Sequence, residues 1–400
     1  MTALMDYLQG LVASSGIVAG DLAIIMIALL FGLMVVGLVL GQELAFVLGG
    51  VGVLVGWLAW GDSGVTIAMT KIYDQMQSYS MVAIPMFVLM ANFLTYSKVA
   101  DGLFESIRYL LGPLKGGLGL AVILVSTVFA ATTGIVGASV VTMGMLSLPV
   151  LLRSGYKPSL ACGMVCAGGS LGILIPPSIM LVSMGSYAEV SVGKIFFAAI
   201  VPGLALSVGY IIYVMVVCHI HPDWGPAMSA QELAEMPLKK RITGSLINLV
   251  PPLLLIIAVL GSIFGGIATP TEAAGVGAFF ALILAICYKQ FSLKMLYESL
   301  MDTAKTTAMV FIILFGAAAF TGVFMSLDGD QIISDWVLSM GIGKWGAFAI
   351  MMIIMFILGM FIDWLGIVMI VFPIFLPIMD QFGFDRLWLV AVSATLLQTC

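Results

Sequence analysis

Charged side chains are scarce in this sequence. Asp, Glu, Lys and Arg make up 9% of its 400 residues, and only two histidines occur, His219 and His221, which lie close together. The chain has no basic patch, so nothing in its charge pattern indicates a nucleic-acid ligand. Its first twenty residues contain neither a basic segment nor a small-residue cleavage site, and we therefore expect no removable signal peptide.

Sequence signatures of enzymes and metal centres are missing too. Cys162 and Cys166 share a helix face but have no companion ligands, which favours a packing role over metal binding. The chain contains no H-E-x-x-H motif, no credible Ser–His pair and no nucleotide-binding loop. We therefore expect neither an enzyme nor consumption of ATP by this chain, and no organic cofactor.

Apolar residues dominate instead, at 62% of the chain, with a mean hydropathy of +1.21. They form repeated runs of about 20 residues, the length a helix needs to cross a ~30 Å hydrocarbon core. We therefore predict an all-α polytopic membrane protein embedded in the lipid bilayer.

One apolar run is interrupted, at Gly168-Gly-Ser-Leu-Gly-Ile-Leu-Ile-Pro-Pro-Ser178. Two adjacent prolines remove two backbone donors and clash with the preceding turn, so no continuous helix can pass through them. In lipid, a broken backbone is tolerated only where protein or a water-filled cavity satisfies its polar groups. Many transporters use such breaks to present carbonyls to a cation and helix N-termini to an anion. A kinked spanning helix without a ligand is the alternative.

The two halves of the chain come into register at a shift of 228 or 229 residues. In this alignment the basic loop at 98–115 corresponds to an Asp-rich loop after Ser326. The positive-inside rule places these two loops on opposite sides of the membrane. Inverted repeats, with a binding site near the midplane, are therefore expected. The matched residues include Glu43 with Glu272, Asp101 with Asp330, Leu148-Pro149 with Leu376-Pro377, and Gly155-Tyr156 with Gly383-Phe384.

This register predicts the domain organisation. The counterpart of the tandem prolines falls just beyond Cys400, and the last apolar run ends within the membrane, so we interpret the sequence as a fragment. The expected parts are a first repeat at 22–217 with a re-entrant hairpin near 132–158 and a broken helix at 159–187, a cytoplasmic linker at 218–245, and a second repeat at 246–400.

Several motifs, in this order, resemble the large membrane subunit of tripartite ATP-independent periplasmic (TRAP) transporters. The resemblance runs from about residue 22 to the end. The motifs are Ala83-Ile-Pro-Met-Phe87 leading to Asn92, the Gly- and Ser-rich run at 134–144, Gly172-Ile-Leu-Ile-Pro-Pro-Ser178, Thr269-Pro-Thr-Glu-Ala273 and Leu358-Gly-Met-Phe-Ile-Asp363.

The resemblance implies a function. A TRAP permease of this kind is a sodium-driven secondary transporter for organic acids, usually carboxylates, in the bacterial inner membrane. It receives substrate from a soluble periplasmic binding protein and works beside a small four-helix membrane subunit. An elevator mechanism is implied as well, in which a transport domain with two re-entrant hairpins slides against a scaffold.

The resemblance also implies binding residues. One sodium ion would be held by oxygens, mainly of the main chain, around Thr133, Gly172, Leu174 and Pro177. The side chain of Leu174 is apolar, so only its carbonyl can serve as a ligand. The second hairpin should begin near Asp363. The family has small residues throughout 133–144, whereas this chain has valines there, which changes the shape expected of the substrate pocket.

Four polar side chains are candidates for contact with the substrate: Ser139, Ser178, Asp363 and Asn92. Each also has a simpler interpretation. Serine on a membrane helix commonly bonds its own backbone, Asp363 can start a helix, and Asn92 can bridge two helices. Glu272 follows Thr269-Pro-Thr271, where an acid is stabilised by the helix dipole without any ligand. Arg153 and Lys157 are expected to anchor a hairpin tip at the membrane surface.

Three alternative functions stay open on the sequence. A stand-alone sodium–dicarboxylate symporter of related fold would need no binding protein. A membrane-embedded enzyme is disfavoured by the missing motifs. A structural membrane subunit would show no uptake in any reconstitution.

Overall fold

The computed structural model describes residues 19–133, 136–229, 232–233, 236–339, 341–360 and 362–398. These residues form helices joined by turns, without a β-strand among them, which confirms the predicted all-α class. Two short 3-10 segments, Tyr79–Val82 and Leu171–Ile173, connect α-helices. In chain order the α-helices are α1 (Ala19–Val39), α2 (Leu44–Trp60), α3 (Asp62–Met76), α4 (Ala83–Tyr96), α5 (Val99–Leu111), α6 (Gly117–Thr133), α7 (Val136–Arg153), α8 (Pro158–Ser170), α9 (Ile179–Tyr187), α10 (Val192–Ile220), α11 (Leu238–Phe264), α12 (Pro270–Cys287), α13 (Leu293–Ser326), α14 (Gly329–Ser339), α15 (Lys344–Gly359), α16 (Trp364–Gln381) and α17 (Arg386–Leu397).

Seven helical segments of the described chain are long and apolar enough to cross a membrane. They lie in α1, in α4 with the 3-10 segment before it, in α10 to α13 and in α16. Several other apolar helices are shorter. The 13 residues of α8, for example, span only about 20 Å. These lengths confirm a polytopic membrane protein that contains both full spans and helices too short to cross alone.

The chain divides into two compact units. The first unit contains the described residues of 19–78 and 308–389, and the second contains 79–307 and 390–398. In the first unit α2 packs against α1 and α3, and α16 packs against α14 and α15. Phe31 of α1 meets the rings of Phe320 and Phe324 edge-on, with centroids 5.6 and 5.8 Å away.

The second unit is organised around two helix pairs. One is α4 with α12, and the other is α7 with α8, which also pack against α6. Gly277 lies where α4 and α12 approach, and a β-carbon there would lie 2.7 Å from the sulfur of Met90. A large apolar core lies among α5, α6, α7, α8 and α10.

Amphipathic helices occupy two segments that were expected to be charged connections. In α5 the buried residues Val99, Leu103, Phe104 and Ile107 follow a helical spacing and leave the charged residues on the other face. The Asp-rich segment after Ser326 likewise contains α14. Because an amphipathic helix has few consecutive apolar residues, apolar runs in the sequence do not reveal it.

The linker between the halves is shorter than expected, because α10 continues to Ile220 and α11 starts at Leu238. It is also fastened to the second unit. The main-chain oxygens of Trp224 and Gly225 accept hydrogen bonds from the N–H groups of Lys157 (3.0 Å) and Gly116 (2.8 Å). These bonds connect the linker to the α7–α8 turn and to the start of α6.

Turns with left-handed backbone recur at matching places in the two halves, an observation that supports the repeat. Five positions of positive φ in the first half each have a counterpart 225–230 residues later. The order of the flanking helices agrees too, since α5 to α8 correspond to α14 to α17. The inverted orientation of the halves stays a prediction. The five pairs are Gly41 with Gly266, Gly61 with Lys289, Lys98 with Asp328, Gly116 with Gly341, and Gly155 with Gly383.

Candidate functional site

The helix is interrupted at the tandem prolines, as predicted. Helix α8 ends at Ser170, the 3-10 turn covers Leu171–Ile173, and α9 starts only at Ile179. Every residue from Leu171 to Gly185 is buried. The interruption is therefore enclosed by protein, which is the condition under which non-helical backbone is tolerated at membrane depth.

The main chain at the interruption has oxygens that no helix uses. Among the described residues, none donates a hydrogen bond to the carbonyls of residues 174–177. A buried carbonyl without a partner costs free energy comparable to a lost hydrogen bond, about 1–3 kcal/mol. A dehydrated cation is a suitable partner for such oxygens. Two of the four predicted ligands, Leu174 and Pro177, lie in this stretch, and Gly172 lies in the 3-10 turn before it.

The helices that carry two further predicted residues contact this 3-10 turn. Thr133 is the last residue of α6 and Ser139 lies in the first turns of α7, and both helices pack against Leu171–Ile173. Ser139 is 2% exposed. The side chain of Thr133 and the connection at 134–135 lie outside the described residues. Helices α6 and α7 lie on either side of residues 134–135, and the turn at 154–157 joins α7 to α8. The re-entrant hairpin near 132–158 stays a prediction.

Ser178 caps the helix that follows the interruption. Its Oγ accepts a hydrogen bond from the N–H of Leu181 at 3.5 Å and donates one to the carbonyl of Ile173. Both partners are main-chain groups, which is the simpler of the two interpretations of this serine. Its role as a donor to substrate stays a prediction.

Asn92 bridges two helices of the second unit. Its Nδ2 donates to Thr303 Oγ1 at 2.9 Å, and the hydroxyl of Thr303 donates to the carbonyl of Ser299 at 2.7 Å. One turn away, Tyr96 Oη donates to Asp302 Oδ2 at 2.6 Å. These bonds join α4 to α13 and agree with the packing interpretation of Asn92.

The two acidic candidates both start helices. Asp363 is the N-cap of α16, in the first unit, and its carboxylate accepts from the N–H of Leu365 at 3.4 Å. Glu272 forms a capping box with Thr269: its carboxylate accepts from the N–H and hydroxyl of Thr269, both at 2.8 Å. Glu272 thus lies in the first turn of a helix, as predicted, and the capping box stabilises it there without any ligand.

Tight packing beside the interruption was not anticipated. The extra bulk of the α7 valines is accommodated in two ways: Val140 packs over Gly169 of α8, and Val141 is 57% exposed. Ser126 of α6 is buried without a hydrogen-bond partner in the described part of the chain, and a β-carbon on Gly168 would lie 2.7 Å from its Oγ. The sequence did offer one sign of close packing, the Gly168-Gly169 pair. Only the fold shows that these glycines lie against Ser126 and Val140.

The fold is shared with a solved membrane protein. The Alcanivorax borkumensis YdaH transporter superposes with a TM-score of 0.61 and 12% identity, covering 88% of this chain and 85% of its own. The fold and the site therefore define a polytopic helical membrane protein with a buried, interrupted helix.

Sequence comparison then identifies the family. The model of the DctM component of the tripartite ATP-independent periplasmic transporter matches residues 27–399. The C4-dicarboxylate TRAP transporter large permease protein DctM of Pseudomonas aeruginosa is 34% identical over 331 residues, covering 82% of this chain and 75% of that protein. The ectoine TRAP transporter large permease protein TeaC of Halomonas elongata is 27% identical over 381 residues, covering 93% and 84%. The chain belongs to the TRAP transporter large permease family and is a transporter subunit, not an enzyme.

Proposed function

We propose that this permease imports an organic acid, delivered by a periplasmic binding protein, and couples the import to sodium entry across the bacterial inner membrane. A small four-helix membrane subunit completes the assembly. The family is tripartite, which supports both partners. The relatives named for C4-dicarboxylates and ectoine support a small organic solute with an acidic group.

The observation that carries the proposal is the buried main chain at residues 174–177, whose oxygens have no donor among the described residues. A sodium ion bound there would satisfy them. Helix α9 starts directly after these oxygens, and the first N–H groups of a helix attract negative charge. A cation site and an anion site would therefore adjoin at one interruption.

Coupling follows from this adjacency. A sodium ion bound to the unwound backbone orders it, and the ordered backbone positions the N-terminus of α9 for the carboxylate. Binding of each ligand then favours binding of the other by the same free energy. The elevator mechanism that the family resemblance implies is part of this proposal.

The test is uptake into proteoliposomes that contain this chain and the small subunit. Radiolabelled C4-dicarboxylates and ectoine are supplied with a binding protein under an inward sodium gradient. We expect uptake that stops when potassium replaces sodium and when the binding protein is omitted. Uptake that persists in potassium would overturn sodium coupling. Uptake without the binding protein would indicate a stand-alone symporter, and no uptake with any acid and partner would favour a structural subunit.

A further inference from the structure

A groove on the second unit runs along α8, and residues 171–178 of the interruption do not line it. It has a volume of about 580 Å³ and lies among α6, α8, α10 and the linker. Its walls are mostly apolar, with Ile123, Leu160, Met164 and Val214 among them. Gly163 leaves the groove open in the middle of α8, since a β-carbon there would meet no atom within 4 Å.

The groove is open at the outer surface of the second unit. Tyr213, on its α10 wall, is 59% exposed, and Cys162 and Cys166 are exposed on the adjoining face of α8. Since α10 has the length and composition of a membrane span, we expect this exposed side to face lipid. A small polar substrate would gain little from such walls, whereas an acyl chain would bury its methylene groups against them.

One end of the groove carries positive charge and aromatic rings. Trp224 lines it, and Lys157 places its Nζ 3.4 Å from the centroid of the Trp224 ring. The imidazole ring of His221 also stacks on the Trp224 ring, with their centroids 4.6 Å apart. Lys157 is exposed and pairs with no carboxylate in the described part of the chain. Tryptophan and lysine are typical of the membrane interface, where lipid phosphates lie.

We propose that this groove binds an anionic phospholipid. One acyl chain lies along α8 and α10, and the phosphate is bound by the ammonium group of Lys157 beside Trp224. Charge complementarity selects the occupant: the walls accept any chain, but the basic end favours an anionic headgroup over a zwitterionic one. The proposal does not rest on the transport function proposed above.

The experiment is native mass spectrometry of the purified chain, titrated with dioleoylphosphatidylglycerol or dioleoylphosphatidylcholine. Gly163→Leu fills the groove, and Gly209→Leu is its control, because Gly209 on α10 is exposed, has open space around it and does not line the groove. Leucine has a higher helix propensity than glycine, so both variants should fold. Gly163→Ala provides a smaller change at the same position.

We expect Gly163→Leu to bind phosphatidylglycerol about tenfold more weakly than the original chain, because the acyl chain loses its apolar contacts. Gly209→Leu should bind it normally. If Gly163→Leu and Gly209→Leu bound phosphatidylglycerol equally well, the groove would not be the lipid site and the proposal would be wrong. If Gly163→Leu instead leaves lipid binding unchanged and weakens association with the small membrane subunit, the occupant is a partner helix and the proposal is wrong.

The charge is tested separately with Lys157→Gln. Its control is Lys194→Gln, since Lys194 is also exposed but lies about 28 Å from Tyr213 along the axis of α10. We expect Lys157→Gln alone to reduce the preference for phosphatidylglycerol over phosphatidylcholine, by about fivefold. An unchanged preference in Lys157→Gln would overturn the assignment of the phosphate to this lysine.

Discussion

Gly169 of α8 lies against the main chain of Val140 of α7. A β-carbon on Gly169 would be 2.8 Å from the Cα atom and 2.9 Å from the nitrogen of Val140. Both atoms belong to helical backbone, which cannot move away as a flexible side chain can. The contact joins α7 to the helix that leads into the interruption, so the spacing of these two helices is set by the absence of a side chain at position 169.

Gly169→Ala should therefore lower stability. The two helices must separate or strain to admit the methyl group, at a cost of about 1–3 kcal/mol. Gly163→Ala is the matched control on the same helix, where open space leaves only the gain in helix propensity, about 1 kcal/mol. Thermal unfolding in detergent measures both. Equal melting temperatures for the two variants would contradict the close contact.

Ser178→Ala should destabilise the start of α9. It removes the hydroxyl that accepts from Leu181 N–H and donates to the Ile173 carbonyl, and the loss of an N-cap costs about 0.5–2 kcal/mol. Ser170→Ala is the control, because Ser170 donates only to the carbonyl of Ala167 within α8. Thermal unfolding and uptake are measured together. A normal melting temperature with a raised KM for the acid would instead assign Ser178 to substrate binding.

Leu174→Met should preserve sodium-dependent uptake if the carbonyl of residue 174 is the ligand. Leucine and methionine are similar in volume, and such exchanges in a core usually cost less than about 1.5 kcal/mol. Leu174 is fully buried, so Leu174→Ala would leave a cavity and cost about 2–5 kcal/mol. Uptake is measured against sodium concentration. A sodium dependence lost in Leu174→Met while the melting temperature is retained would contradict this assignment, because the exchange leaves the main-chain carbonyl in place.

Asn92 and Thr303 should be energetically coupled. In membrane proteins a hydrogen bond between helices contributes on average about 0.6 kcal/mol, with a maximum near 1.7 kcal/mol. A double-mutant cycle with Asn92→Leu and Thr303→Val should give a coupling energy in this range. Asn248→Leu is the control, because Asn248 bonds Gly102 and Ser106 instead. Additive effects of Asn92→Leu and Thr303→Val would show that this bond does not contribute.

Thr269→Ala should destabilise α12 by about 0.5–2 kcal/mol, because it removes the N-cap hydroxyl of a complete capping box. Thr271→Ala, in the same turn but outside the capping box, should be close to neutral. Chemical denaturation in detergent distinguishes the two. A larger loss in Thr271→Ala than in Thr269→Ala would contradict the capping role.

Local chemistry in the sequence was sufficient for several features. Two adjacent prolines exclude a continuous helix whatever surrounds them, so the interruption at Pro176-Pro177 could be predicted, and so could the capping box of Thr269 and Glu272. The long apolar runs predicted the spans. The amphipathic helix α5 was missed because its apolar residues are dispersed along the chain.

The amino-acid sequence by itself determined that this chain is helical, lies in a membrane and contains a broken helix, because these properties depend on residue type and on neighbours along the chain. Only the tertiary structure decided what surrounds the break: that residues 171–185 are buried, that Gly169 meets Val140, and that Asn92 meets Thr303. Such contacts join residues far apart in sequence, and their distances depend on how the helices pack. Hydropathy and local spacing carry no information about that packing.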